Sequence, residues 1–293
     1  MFFIFMKKIN YLYKVCFLSL LLVASCQFGD KGNKGAGGER LVCLSKQLTE
    51  ILYALHQGDK IVGLDLTSSY PEATKAITKV GYHRKLNSEG IISLDPTLVV
   101  HQGDIAPAEV IPQIQKVGLK VKQYPAAPGL DSTRILIRQV AKDYGVDTAA
   151  ERIIRELDAD LARADSLVRS YPKKPKVLII HFGQQRNQYF VMGTRGTADA
   201  MLKLAGGVNA ADTSSFRDLS AEVIAREQPD VILATDFGFD RMGSVEKFLT
   251  LPGIALTPAA RNGKIYRVEE HDLVYFGPRS GKNILKLAAL IHQ

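Results

Sequence analysis

The chain has 293 residues, and its 38 basic and 30 acidic residues give a formal net charge of +8. That length allows one large domain or two modest ones. The basic excess is spread out, with no basic run of the kind that marks nucleic-acid binding, and three cysteines exclude a disulfide-stapled scaffold.

Residues 1–25 read as a signal peptide: Lys7, Lys8 and Lys14 flank an apolar stretch from Val15 to Ala24, and no acidic residue occurs among the first 26. The stretch is too short to span a bilayer comfortably and suits the apolar region of an export signal. Without these three lysines the net charge falls to +5. Val23-Ala24-Ser25-Cys26 resembles the bacterial lipobox, so Cys26 is expected to be lipidated and to anchor the chain to a membrane. Residues 26–39 then read as a flexible tether, since "QFGDKGNKGAGGE" carries five glycines in thirteen residues. Such a segment cannot bury enough apolar surface to order itself and has a reach of about 20 Å.

From residue 40 short apolar runs alternate with helical patterns. Residues 40–44, 60–65, 98–101 and 120–124 read as strands, and 49–58 and 107–118 as helices ending at glycine. That alternation predicts a parallel sheet covered on both faces, an N-terminal α/β lobe over 40–146. Cys43, within the first strand, reads as a buried residue without a partner.

Residues 147–172 carry apolar side chains at Ile153, Ile154, Leu157, Leu161, Ala164, Leu167 and Val168, spacings of three and four. The spacing predicts one amphipathic helix of about 24 residues, roughly 36 Å long, acting as a strut. A C-terminal α/β lobe follows over 173–293. Strands are expected at 176–183, near 189–193, at 230–235 and at 264–268. A helix capped by Thr197 and stopped at Gly206-Gly207 is expected between them, and a last amphipathic helix closes the chain.

One phrase occurs in both lobes. "EGIISLDPTLVV" (89–100) and "EVIAREQPDVILA" (222–234) each place Ile two residues after Glu, Pro seven residues after it, and then an apolar run. Both read as a helix turning into a strand, so the lobes share a build: two Rossmann-like α/β lobes joined by one long α-helix.

At this point the chain resembles the class III periplasmic binding proteins, the ABC-transporter substrate-binding proteins with a helical backbone between their lobes. Cobalamin, siderophore and haem binders belong to this cluster. The resemblance covers residues 39–293, and the haem binders match best, through residues 58–100, 103–121, 191–210 and 251–266. It implies a lipoprotein on the periplasmic side of the cell envelope, working as a monomer with an ABC permease and its ATPase. Its implied cargo is haem, and no catalytic cofactor is implied. A siderophore or cobalamin binder of the same cluster is the alternative. A metal-ion binder would want converging His and carboxylate ligands, and a surface haem scavenger would hand its cargo to an outer-membrane receptor.

The resemblance gives particular residues roles. Tyr70, in "LTSSYPE", follows a strand in a polar loop, where open α/β sheets bind ligands. It matches the family's axial haem-iron ligand, and phenolate oxygen is a hard donor suited to ferric iron. Tyrosine has an ordinary pKa of about 10, so ligation at neutral pH relies on the iron and on a nearby arginine. The family draws that arginine from the second lobe, and Arg241 is the candidate. His181 and His101 end strands and are expected to face the cleft as a second ligand or as lining. Arg84 and Arg195 match basic positions that could meet propionates. His83 and His271 are expected to be solvated, and His56 and His292 to be uninvolved. Glu89 and Glu222, the paired glutamates of the repeated phrase, match the residues that dock on permease arginines. No dinucleotide, Walker or nucleophile-elbow motif is present, so an enzyme is not expected.

Overall fold

The computed structural model describes residues 38–183, 188–211, 214 and 217–293. The expected signal peptide, Cys26 and all but the end of the tether lie outside the described residues.

The first sheet is built from β1 (Leu41–Cys43), β2 (Ile61–Leu64), β3 (Thr78–Lys79), β4 (Leu98–His101) and β5 (Lys120–Gln123). All five are parallel, in the order β3-β2-β1-β4-β5, with Leu41 opposite both Ile61 and Leu98. Central β1 is wholly buried, as expected of a strand covered on both faces. The helices of this half are α1 (Lys46–Ala54), α2 (Ser88–Ile92), α3 (Val110–Lys116) and α4 (Leu130–Tyr144). α1 starts before the expected Thr49 because Ser45 caps it, its hydroxyl accepting from Leu48 N at 3.2 Å.

Next comes α5 (Asp147–Ser170), 24 residues as predicted. Its first half gives Ala150, Ile153 and Ile154 to the core beneath the first sheet, together with Leu41, Leu48 and Ile137. Its second half gives Ala164 to a different core, with Val177, Leu233 and Ile284. A single rigid helix therefore belongs to both cores, and Glu39–Gln293 pack as one compact unit.

The second sheet contains β6 (Lys176–Gly183), β7 (Gln188–Val191), β8 (Val208–Asn209), β9 (Arg217–Asp218), β10 (Val231–Thr235) and β11 (Ile265–Val268). Its order is β11-β10-β6-β7-β9, with β8 paired to β6 off that path. β10 runs parallel to β6 and β11, but β7 is antiparallel to both β6 and β9. This corrects the simple repetition of a parallel sheet. Only four residues separate Gly183 from Gln188, too few for a crossover, so the chain must fold straight back.

The helices here are α6 (Thr197–Leu204), α7 (Ala221–Glu227), α8 (Asp236–Met242), α9 (Val245–Phe248), α10 (Pro258–Arg261) and α11 (Ser280–Ile291). Thr197 is the first helical residue of α6 rather than its cap; Gly196, at φ 117°, holds the cap position. α11 crosses α5 at Gly281, where a Cβ would lie 2.4 Å from Leu157 O and 2.7 Å from Asp160 Cβ.

The repeated phrase has a shared backbone. Glu89 lies in the first turn of α2 and Glu222 in that of α7. In each copy the residue just before the proline is left-handed, Asp95 at φ 47° three residues beyond the end of α2 and Gln228 at φ 43° as the C-cap of α7. β4 and β10 then start nine residues after their glutamates. Cys43 is fully buried, its Sγ near Thr49 Oγ1 and Ser45 O, and burial pushes its thiol up to about 12.

Candidate ligand-binding site

In both sheets the polar loops leave from the carboxyl ends of the parallel strands, and there the two halves meet. Lys46, at the start of α1 after β1, pairs with Glu270 after β11 at 3.1 Å. Gln47 Nε2 donates to Phe276 O at 2.6 Å and to Ala127 O at 2.9 Å. Tyr70, in the loop after β2, stands with its ring centroid 5.2 Å from that of His271. The carboxyl edges of the two sheets therefore face one another, the place where open α/β sheets take ligands.

Asp65 holds the Tyr70 loop. Its carboxylate accepts from Ser68 Oγ at 2.5 Å, from Thr67 N at 3.0 Å and from Thr67 Oγ1. His83 lies beside it, Nδ1 at 3.1 Å, with its Nε2 3.5 Å from Asp104. Burial acts to raise the Asp65 pKa, but hydrogen bonds from His83, Ser68 and Thr67 prevail and hold it below the usual value. Ser68 is tied further by Thr49 Oγ1 at 3.0 Å and by Lys79 Nζ donating to its carbonyl at 2.5 Å. The loop presenting Tyr70 is thus fixed by a buried polar network.

The cation against Tyr70 is Arg279, whose Cζ lies 3.4 Å from the ring centroid. Arg279 occupies the cap position of α11. Its Nε and Nη2 donate to Glu50 Oε1 and Oε2 at 3.2 and 3.0 Å, and its Nη1 donates to Asp272 Oδ1 at 2.7 Å. Glu50 is on α1, only 3% exposed, and also accepts from Tyr275 OH at 2.7 Å. Burial works against the charged guanidinium, but Glu50 and Asp272 outweigh it and raise the Arg279 pKa. Burial and then Glu50 hold the Tyr275 phenol well above its ordinary value, keeping it a donor.

Arg241, the expected partner of Tyr70, instead packs its Cζ 4.9 Å from the Phe182 ring. Phe182 contacts Tyr189 and Phe237 at centroid distances of 4.9 and 5.7 Å. Gly238 lets α8 approach this cluster, since a Cβ there would lie 2.6 Å from Phe182 Cβ, and Tyr189 OH donates to Gly238 O at 2.8 Å. Phe237 is left 43% exposed, and Leu66, beside the Tyr70 loop, 51%.

His181 is half-buried on β6, its Nδ1 3.1 Å from Thr235 Oγ1. Burial holds its pKa below the ordinary value, opposed by Glu270 and aided by Lys46, which places it beside the inter-lobe pair. His101 is buried, and its Nδ1 accepts from Gly103 N at 3.0 Å, so that nitrogen serves the turn after β4. Arg84 forms an exposed fork on Asp104, with Nη2 at 2.7 Å and Nε at 3.1 Å. Arg195 is exposed, its backbone N–H donating to Ser214 O at 3.0 Å. His83 and His271, expected to be solvated, are instead largely covered, with side chains 16% and 14% exposed. His292 stacks on Tyr171 at 4.0 Å, a packing role.

Sequence reasoning missed Arg279, Glu50, Lys46 and Glu270. Arg279 and Glu50 lie 229 residues apart, and neither stands in a motif. The one available signal was a Glu in the middle of a short helix, between Leu48 and the apolar pair Ile51-Leu52.

Glu89 and Glu222 are exposed, and backbone caps are supplied by others: Asn87 Oδ1 accepts from Glu89 N, and Ser220 Oγ from Val223 N. Among the described residues neither glutamate side chain is drawn into a hydrogen bond or ion pair.

Two α/β lobes bridged by one helix, with polar loops meeting at the carboxyl edges of both sheets, define a two-lobed binding protein. The chain belongs to the periplasmic binding protein family, whose model matches residues 41–271. That family is one of transport substrate-binding proteins rather than enzymes. Among solved structures it is similar to the apo form of the periplasmic haem-binding protein RhuT from Roseiflexus sp. RS-1. The two are 36% identical with a TM-score of 0.80, over 87% of this chain and 98% of that one. The haem-binding protein BhuT in complex with two haems is 30% identical with a TM-score of 0.77, over 87% and 98% of the two chains. The ABC transporter substrate-binding lipoprotein YvrC of Bacillus subtilis (strain 168) is 27% identical over 87% of this chain and 80% of its own length. A cobalamin-binding protein of Halobacterium salinarum is 27% identical over 87% and 69%.

Proposed function

We propose that this substrate-binding protein of an ABC transporter captures haem in the cleft between its lobes and delivers it to a membrane permease. The observation that carries the reading is Tyr70. It stands on a loop fixed by Asp65 at the carboxyl edge of the first sheet, and its ring lies against Arg279 and His271, which belong to the other lobe. The likeness to haem-binding structures at 36% and 30% identity supports it.

Haem is cargo here. Its ferric iron takes the Tyr70 phenolate, a hard oxygen donor. Its apolar faces need apolar walls, and exposed Phe237 and Leu66 supply such surface at the rims of the two sheets. His181 is the candidate second ligand, Arg241 a cation at the rim, and Arg84 and Arg195 partners for propionates. His101 lines the first lobe from beneath. No bond in the cargo is made or broken, and the protein holds and hands over.

The test is an absorption titration of ferric haem into protein beginning at Gln27, beside Tyr70→Ala. Wild type is expected to saturate with a spectrum distinct from free haem, and Tyr70→Ala to lose or greatly alter that spectrum. A wild-type titration that matches haem in buffer would sink the haem reading. A corrinoid is the second reading, favoured by the cobalamin-binding relative, and the same titration with cobalamin decides between them.

Glu89 and Glu222 are proposed to dock on permease arginines, one from each lobe, fixing orientation as well as affinity. The double reversal Glu89→Lys/Glu222→Lys is expected to leave haem binding intact. It should raise the concentration needed to stimulate the transporter's ATPase by more than about tenfold. Unchanged stimulation would remove these residues from the interface. Cys26 is proposed as the lipid anchor that keeps the protein beside its permease. Among the described residues, no helix is long and apolar enough to cross a membrane.

A further inference from the structure

Three of the five N–H donors of Arg279, at least one on each nitrogen, are committed in the plane of the guanidinium. Glu50 takes Nε and Nη2, and Asp272 takes Nη1. A planar guanidinium held in its plane in this way still offers its faces, and the Tyr70 ring centroid lies 3.4 Å from Cζ. The two anchors come from opposite lobes: Glu50 from α1 beneath the first sheet, and Asp272 from the segment after β11. Tyr70 itself is on the first lobe, whereas Arg279 is on the second.

We propose that Arg279 is a positioning residue for Tyr70. It lays a fixed cationic plane against the ring, so that the phenol oxygen is offered to the cleft in one orientation only while the two lobes are joined through Glu50. A cation on the face of an aromatic ring is attracted to its π system. It also steadies the negative charge that the oxygen carries once bonded to iron. The carboxylates of Glu50 and Asp272 bond in the plane of the fork, which leaves its face to the ring. Arg241 cannot fill this role while it rests on Phe182.

The consequence for cargo rests on the haem reading, whereas the positioning itself can be read in the ligand-free protein. Ring-labelled [13C]tyrosine gives a signal for Tyr70, assigned by its loss in Tyr70→Phe. Two variants are compared with wild type. Arg279→Lys keeps a cation without the fork, and Glu50→Gln/Arg279→Gln removes both charges together, so that neither is left buried alone. The Tyr70 signal is expected to shift in both variants. Haem affinity should fall about tenfold in the double variant and less in Arg279→Lys, with the bound-haem spectrum altered in both. An unmoved Tyr70 signal in the folded double variant overturns the proposal, as does wild-type haem affinity and spectrum in that variant. If wild type itself leaves the haem spectrum unchanged, the haem reading falls, and the Tyr70 signal alone then decides the positioning.

Discussion

Replacing Gly281 with valine is expected to destabilise the protein by about 3 kcal/mol or more and to lower its melting temperature by roughly 10 °C. Gly281 is where α11 lies across the middle of α5. A single Cβ there would meet Leu157 O at 2.4 Å and Leu161 N at 3.1 Å, both backbone atoms. Backbone of a long helix shared by two cores cannot yield as a flexible side chain would, so α11 itself must move off. Leu287, Ala288 and Ile291 would leave their core with it. Arg279, which caps α11, would lose its place on Tyr70, so haem binding should weaken along with stability. Thermal unfolding monitored by far-ultraviolet circular dichroism checks this, and a melting temperature within about 2 °C of wild type would show that the crossing tolerates a side chain.

Glu50→Ala is expected to cost about 3–5 kcal/mol, the usual penalty for breaking a buried ion pair from one side. The carboxylate accepts from Arg279 Nε and Nη2, from Arg279 N and from Tyr275 OH. Its removal leaves Arg279 with Asp272 alone and leaves the Tyr275 phenol, 8% exposed, without its acceptor. Arg279 cannot escape by losing its proton. Removing both partners should cost less than the two single changes together. Denaturant unfolding of Glu50→Ala, Arg279→Ala and the double variant measures this coupling, and strictly additive losses would mean that the pair does not stabilise the junction.

Much of the architecture was legible because it is periodic. The helix over Asp147–Ser170 followed from apolar residues every three or four positions, and β6 and β10 from short β-branched runs bounded by turn residues. The repeated Glu–Ile–Pro phrase told of two similar lobes, since each copy builds the same helix, left-handed residue and strand. What escaped was either too short to be periodic or fixed by distance rather than pattern. β3, β8 and β9 have two residues each, and α4 was not anticipated between β5 and α5. The antiparallel β7 depends on the length of one connection. At the site, Tyr70 was found through its motif. Its neighbours Arg279 and His271 were not, because each reaches it from some two hundred residues away, and an arginine at the start of a terminal helix looks like any other.

Cys43 carries a practical consequence. Its thiol is fully buried and burial pushes its pKa up to about 12, so at neutral pH it stays a thiol rather than the thiolate, the reactive species. In protein beginning at Gln27 it is the one native cysteine, and it will stay silent toward alkylating probes while the fold holds. Cysteines placed at exposed sites on the two lobes can therefore carry a pair of spectroscopic labels with no need to replace Cys43, and the distance between the labels becomes a direct ruler for how far a protein strung on one stiff helix opens and closes.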